Sequence, residues 1–174
     1  VSFFCMSFFA SFKDEKVEGS MEQNSAEYRQ QMIAEYRAAV EPLLKYLPWM
    51  EKNGGRTVSR NYQGNGLSKS SISFPVYDAN LMSFVKEAAA SPLMNRNYVY
   101  VYTRNRIRSH ADEKRLIDGA ELKDWELLGG ILSKYVLEGR TKATLWGEAM
   151  QEGIFLLVLR KMREIIRYWD KAGR

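Results

Sequence analysis

Between residues 154 and 171 the apolar side chains Phe155, Val158, Leu159, Met162, Ile165, Ile166 and Trp169 recur at intervals of three and four. That is the helical period, and it gathers them into one stripe along a helix. A stripe of this length has to be covered, so the rest of the chain must supply partner elements. A second run of the same kind, Leu122, Trp125, Leu128, Ile131, Leu132, Tyr135 and Val136, leads to Gly139, a residue suited to ending a helix. Gly129-Gly130 lies inside this run and costs about 1 kcal/mol per glycine against alanine. Such a pair points to close helix–helix packing, with the approach of a ligand as the alternative. A short helix over 144–151 and Gly153 join the two.

Upstream the pattern is weaker. Asn24 or Ser25 can cap a helix carrying Met32, Ile33, Tyr36, Val40, Leu43, Leu44 and Leu47. Pro42 falls within it and predicts a kink, or a break with a restart near Glu41; Pro48 and Asn53-Gly54-Gly55 end the element. Thr57-Val58 and Ile72-Ser73-Phe74 have strand composition and flank the turn-forming Gln63-Gly64-Asn65-Gly66, which suggests a small β-hairpin or an ordered loop. Asp78 is placed to cap a helix burying Leu81, Met82, Phe84, Val85 and Ala89, stopped by Ser91-Pro92. The alternation in Tyr98-Val99-Tyr100-Val101-Tyr102 predicts a strand, with a helix as the competing reading of so short a run. The fold class expected is α+β, mainly α: five or six helices around one core, with a minor β-hairpin or small sheet.

A length of 174 residues, 45% of them hydrophobic and 27% charged, suits one globular domain, expected over residues 24–174. Residues 1–23 are expected to be a disordered or dispensable tail. Its apolar run VSFFCMSFFASF has no basic residue ahead of it and is shorter than the roughly 20 residues of a membrane helix. It reads either as a sticky extension or as a stretch translated from a start placed too early. A cytoplasmic protein with no membrane partner is the expectation. The lone cysteine, Cys5, fits a reducing compartment, and with one histidine the chain lacks the ligands for a Cys/His zinc site. No metal and no cofactor is expected.

His110, the only histidine, is a candidate general base, and it reads as an exposed residue of a polar loop, with Asp112 and Glu113 near in sequence. Glu148 and Glu152 are spaced to share a helix face, as paired carboxylates or as ordinary surface residues. The loop Gly64-Asn65-Gly66-Leu67-Ser68-Lys69-Ser70 is no phosphate loop, because its lysine does not follow a glycine.

Charge is more informative. Residues 96–115 and 160–174 each carry a net +4 against +5 for the whole chain, so the remainder is negative. In the first segment Tyr98, Tyr100 and Tyr102 stand among Arg96, Arg104, Arg106 and Arg108; in the second, Arg160, Arg163, Arg167 and Arg174 form a basic stripe opposite the apolar one. Aromatic rings beside a basic groove are what single-stranded nucleic acid uses, at about 1–3 kcal/mol per stacked base. The bland alternative is a set of solvated helix faces.

The stretch Ile131-Leu132-Ser133-Lys134-Tyr135-Val136-Leu137-Glu138-Gly139-Arg140-Thr141-Lys142, with Leu145-Trp146 and Glu152-Gly153-Ile154-Phe155, resembles an uncharacterised family of small bacterial, Firmicutes-type proteins. Phe74-Pro75-Val76-Tyr77-Asp78 and Asn97-Tyr98-Val99-Tyr100 share the likeness, which covers roughly residues 28–170. It implies a mainly helical cytoplasmic protein and carries no known activity. Arg140, Lys142, Trp146 and Glu152 gather around the turn between the last helices and are the candidate small-molecule site; the structural alternative makes Trp146 a core plug and the charges helix caps. The expectation is a binding or accessory protein rather than an enzyme. Nucleic acid is the leading partner, with a protein-interaction module or a small-molecule site at Arg140 and Trp146 as alternatives.

Overall fold

The computed structural model describes residues 8–54, 59–62 and 74–172, with side chains over 25–54 and 76–172. The described residues are mainly helical: α1 (Phe8–Leu44), α2 (Leu47–Asn53), α3 (Ala79–Ala90), α4 (Tyr98–Arg104), α5 (His110–Asp118), α6 (Trp125–Glu138), α7 (Leu145–Gln151) and α8 (Ile154–Ala172). A 3-10 turn, Leu122–Asp124, leads into α6. The helices outnumber the five or six expected, and the surplus is α4 and α5, read from sequence as a strand and a loop. Strands β1 (Ser59–Tyr62) and β2 (Phe74–Tyr77) pair antiparallel, Ser59 opposite Tyr77 and Tyr62 opposite Phe74. Thr57-Val58, the turn at 63–66 and Ile72-Ser73 lie outside the described residues.

Helix α1 starts well ahead of Ser25, so its backbone runs through much of the stretch assigned to a tail. The break expected at Pro42 comes later, after Leu44. Pro42 sits in the last turn on the exposed side, where the missing N–H and the ring clash affect one turn instead of a helix interior. Pro48 falls in the first turn of α2, where no N–H is needed. Helix α3 is capped by Asp78, whose carboxylate accepts from the Asn80 N–H at 2.8 Å. It buries Leu81, Phe84, Val85 and Ala88, whereas Met82, expected inside, is 45% exposed.

Helix α6 is buried on nearly every side, and α8 packs against α1, α2, α5, α6 and α7. The rings of Tyr46, Phe84, Phe155 and Tyr135 meet edge-on in series, at centroid distances of 5.6, 5.0 and 6.2 Å. Each such pair adds about 0.5–1.5 kcal/mol beyond the area it buries. Between α7 and α8 the chain turns at Gly153, whose φ of 71° is the left-handed conformation glycine takes without strain.

Helix α4 corrects the strand expectation. Alternation would put Tyr98, Tyr100 and Tyr102 on one face, but the helix directs Val101 into the core and leaves Val99 and Tyr100 largely exposed. Tertiary packing overrides the β-propensity of this run. A Cβ on Gly130 would lie 2.7 Å from Val101 Cγ1, so α4 can rest on α6 only because that position is glycine. The preceding turn is tied down by Ser133, buried in α6, whose Oγ donates to the Gly129 carbonyl at 2.6 Å and accepts from the Asn95 N–H at 2.7 Å. The Gly129-Gly130 pair is a packing notch.

Candidate functional site

Helix α4 ends in a turn that fixes two arginines. The N–H groups of Arg106 and Ile107 donate to the carbonyls of Thr103 (3.2 Å) and Tyr102 (3.0 Å). Closing the helix this way sets Arg106 at φ 54°, the only non-glycine with positive φ among the described residues. An L-residue pays roughly 1–2 kcal/mol for that conformation. Tyr98, Tyr102, Arg106, Arg108, Lys134 and Glu138 line a groove of about 340 Å³ beside this turn. Tyr98 and Tyr102, four apart on α4, form one wall, and the α6 residues Lys134 and Glu138 the other.

Of the nucleic-acid candidates, the groove brings together Tyr98, Tyr102, Arg106 and Arg108. Arg96, Tyr100 and Arg104 stand exposed outside it, Tyr100 with 57% of its surface free. The carboxylates of this region pair with other cations: Asp112 with Arg115 at 3.4 Å and Glu138 with Lys142 at 2.9 Å. Among the described residues Arg96, Arg104, Arg106 and Arg108 form no ion pair. On α8, by contrast, Arg160 is engaged by Glu51 of α2 at 3.4 Å; Arg163 is half-buried and Arg167 exposed.

Lys134 links the groove to a buried polar cluster. Its Nζ lies 4.5 Å from the centroid of the Tyr102 ring, 5.2 Å from that of Tyr135, and 4.0 Å from Glu113 Oε1. Glu113 is 2% exposed and accepts from the Tyr135 hydroxyl at 2.7 and 2.9 Å. The same hydroxyl is 3.1 Å from Nδ1 of His110, whose Nε2 lies 2.7 Å from Glu148. Burial pushes the Tyr135 phenol far up, and its bond to Glu113 adds to the shift. The Tyr102 phenol is also pushed up, first by burial and then by the negative charge of Glu113. Its hydroxyl is buried beside the Glu113 carboxylate, with no partner at hydrogen-bond geometry among the described residues.

His110 is therefore not in a loop. It opens α5, whose cap is the Ser109 hydroxyl accepting from the Asp112 N–H at 3.2 Å, and it is half-buried against α6 and α7. Glu148 and Glu152 do share one face, directed at α5. Glu148 takes His110, and Glu152 takes Lys114 at 2.8 Å, making two rungs between i,i+4 pairs on neighbouring elements. The side-chain bond from Lys114 holds the Glu152 carboxyl below its usual range.

The residues proposed around the last turn do not converge. Arg140 is exposed, Lys142 pairs back to Glu138, and Glu152 belongs to the Lys114 rung. Trp146 lies partly buried against Gly139, its indole N–H reaching the Val136 carbonyl at 3.4 Å and its ring tilted on Tyr77 at 5.6 Å. A Cβ on Gly139 would overlap the indole, so the glycine makes room for a packed tryptophan rather than a ligand.

From the sequence Glu113 stood out only as a neighbour of His110 and Tyr135 only as part of the α6 stripe, and Lys134 not as a site residue at all. The one available signal was a Glu113 that the α5 period turns inward beside Ile117. Comparison with protein-family models, with curated protein sequences and with solved structures finds no match.

Proposed function

We propose that this chain is a binding domain, not an enzyme, and that the groove between α4 and α6 receives single-stranded nucleic acid. The observation that carries the reading is Arg106: a strained left-handed arginine lining the groove, at a position where glycine would be unstrained. Strain of this kind persists where the residue has work to do. Arg104 and Arg108 flank it, exposed like Arg106 and without ion pairs among the described residues, as phosphate binding requires. The exposed ring of Tyr100, on α4 outside the groove, offers a stacking face beside it. A cytoplasmic setting and kinship with the small bacterial proteins the sequence resembles belong to the same reading.

Photo-crosslinking of a single-stranded oligonucleotide, followed by peptide mapping, tests it. Crosslinks concentrated in residues 96–108 support the assignment, and crosslinks confined to α8 contradict it. A second reading, a protein-interaction face, is favoured by Val99 and Tyr100, 62% and 57% exposed on the outer side of α4. It would show as a complex that survives salt high enough to strip nucleic acid away.

A further inference from the structure

The contacts around His110 contain more hydrogen bonds than a neutral imidazole can supply hydrogens for. Three separations are of hydrogen-bond length: Glu148 to Nε2 at 2.7 Å, Nδ1 to the Tyr135 hydroxyl at 3.1 Å, and that hydroxyl to Glu113 at 2.7 Å. Each needs one hydrogen. Ionised carboxylates bring none, the phenol brings one, and a neutral imidazole brings one. The chain of contacts is then one hydrogen short.

We infer that His110 is held as an imidazolium, and that this proton latches α5, α6 and α7 together. Both ring N–H groups then donate, Nε2 to Glu148 and Nδ1 to the Tyr135 oxygen, which leaves the phenol hydrogen for Glu113. The proton has two other possible locations, the carboxyls of Glu113 and Glu148. The neighbours favour the ring: it sits between Glu148 at 2.7 Å and Glu113 at 3.6 Å, and the Lys134 cation lies 4.0 Å from Glu113. The other groups facing this point are Lys114 and Glu152, which pair with each other, and the phenol of Tyr102. Helix α8 meets it through Phe155, packed edge-on against Tyr135.

Losing the proton opens the latch. Either Tyr135 turns its hydrogen toward Nδ1 and leaves a buried carboxylate without its donor, or two lone pairs face each other across 3.1 Å. Helix α7 then keeps the Lys114–Glu152 rung on α5.

The chain has one histidine, so ring-labelled ¹⁵N-histidine in the full-length protein gives a single, unambiguous pair of nitrogen signals. At about pH 7.5 a free imidazole is only about a tenth protonated. The inference expects two N–H signals there in the wild type. In Glu113→Leu the acceptor is gone, the phenol hydrogen is released to Nδ1, and one N–H signal should remain. A bare Nδ1 or a bare Nε2 in the wild type overturns the inference. So does an imidazolium that survives unchanged in E113L, because Glu148 alone would then account for it. Should E113L fail to fold, Tyr135→Phe serves in its place: without the hydroxyl that Nδ1 donates to, the second N–H should be lost, and its persistence overturns the inference.

Discussion

The Tyr135 hydroxyl donates to a Glu113 carboxylate that keeps only 2% of its surface exposed, at distances of 2.7 and 2.9 Å to its two oxygens. A buried carboxylate depends on such a donor, because an unmet one costs about 1–3 kcal/mol or more. Tyr135→Phe should therefore destabilise the fold by about 2 kcal/mol in urea unfolding. Glu113→Leu in the same background should restore part of the loss, since both polar partners are then gone. A Y135F variant as stable as the wild type would show that the bond carries nothing.

Alkaline titration gives a second check. Tyr102 and Tyr135 are both pushed far above the ordinary phenol value, by burial first and by Glu113 next. A phenol that resists ionisation in the fold stabilises it below the unfolded value near 10 and gives that stability up as pH climbs beyond it. Absorbance near 295 nm should show these two of the ten tyrosines ionising only as the fold opens. Smooth ionisation of all ten with the helical signal intact would contradict their burial.

Glycine 130 offers a test of packing in which propensity and sterics oppose each other. Alanine gains about 1 kcal/mol within a helix. Here its methyl would lie 2.7 Å from Val101 Cγ1, and overpacking costs about 1–3 kcal/mol. Gly130→Ala should be destabilising in thermal unfolding, and Val101→Ala in the same chain should relieve part of the loss. A stabilised G130A would mean α4 does not sit against α6 as described.

Much of this architecture was legible in the sequence. The α6 and α8 stripes rest on three-and-four spacing over long runs, and Asp78 and Gly153 are local signals with one physical meaning each. Helix α4 was not legible, because what makes it a helix is a notch at Gly130, some thirty residues away. His110 and Glu113 misled for the same reason. Their partners Tyr135 and Glu148 lie on other helices, and no spacing within 108–113 announces them. The arginines of 96–108 were visible as charge, but which of them face one groove depends on α4 being helical.

Arg106 separates stability from function. Arg106→Gly relieves the left-handed strain and should raise stability by about 1 kcal/mol in urea unfolding. The same change removes a cation that would neutralise a phosphate, and should weaken oligonucleotide binding. A variant both more stable and equally tight in binding would leave the arginine without a purpose in the groove.

Anisotropy of a labelled single-stranded oligonucleotide, titrated with the full chain over a series of salt concentrations, bears most directly on the proposed function. Binding should weaken steeply with salt. Arg104→Ala, Arg106→Ala and Arg108→Ala together should lower the log–log slope by roughly 2, about 0.7 for each phosphate no longer neutralised. No binding even at low salt, or a slope the triple variant leaves unchanged, would contradict a nucleic-acid groove at α4.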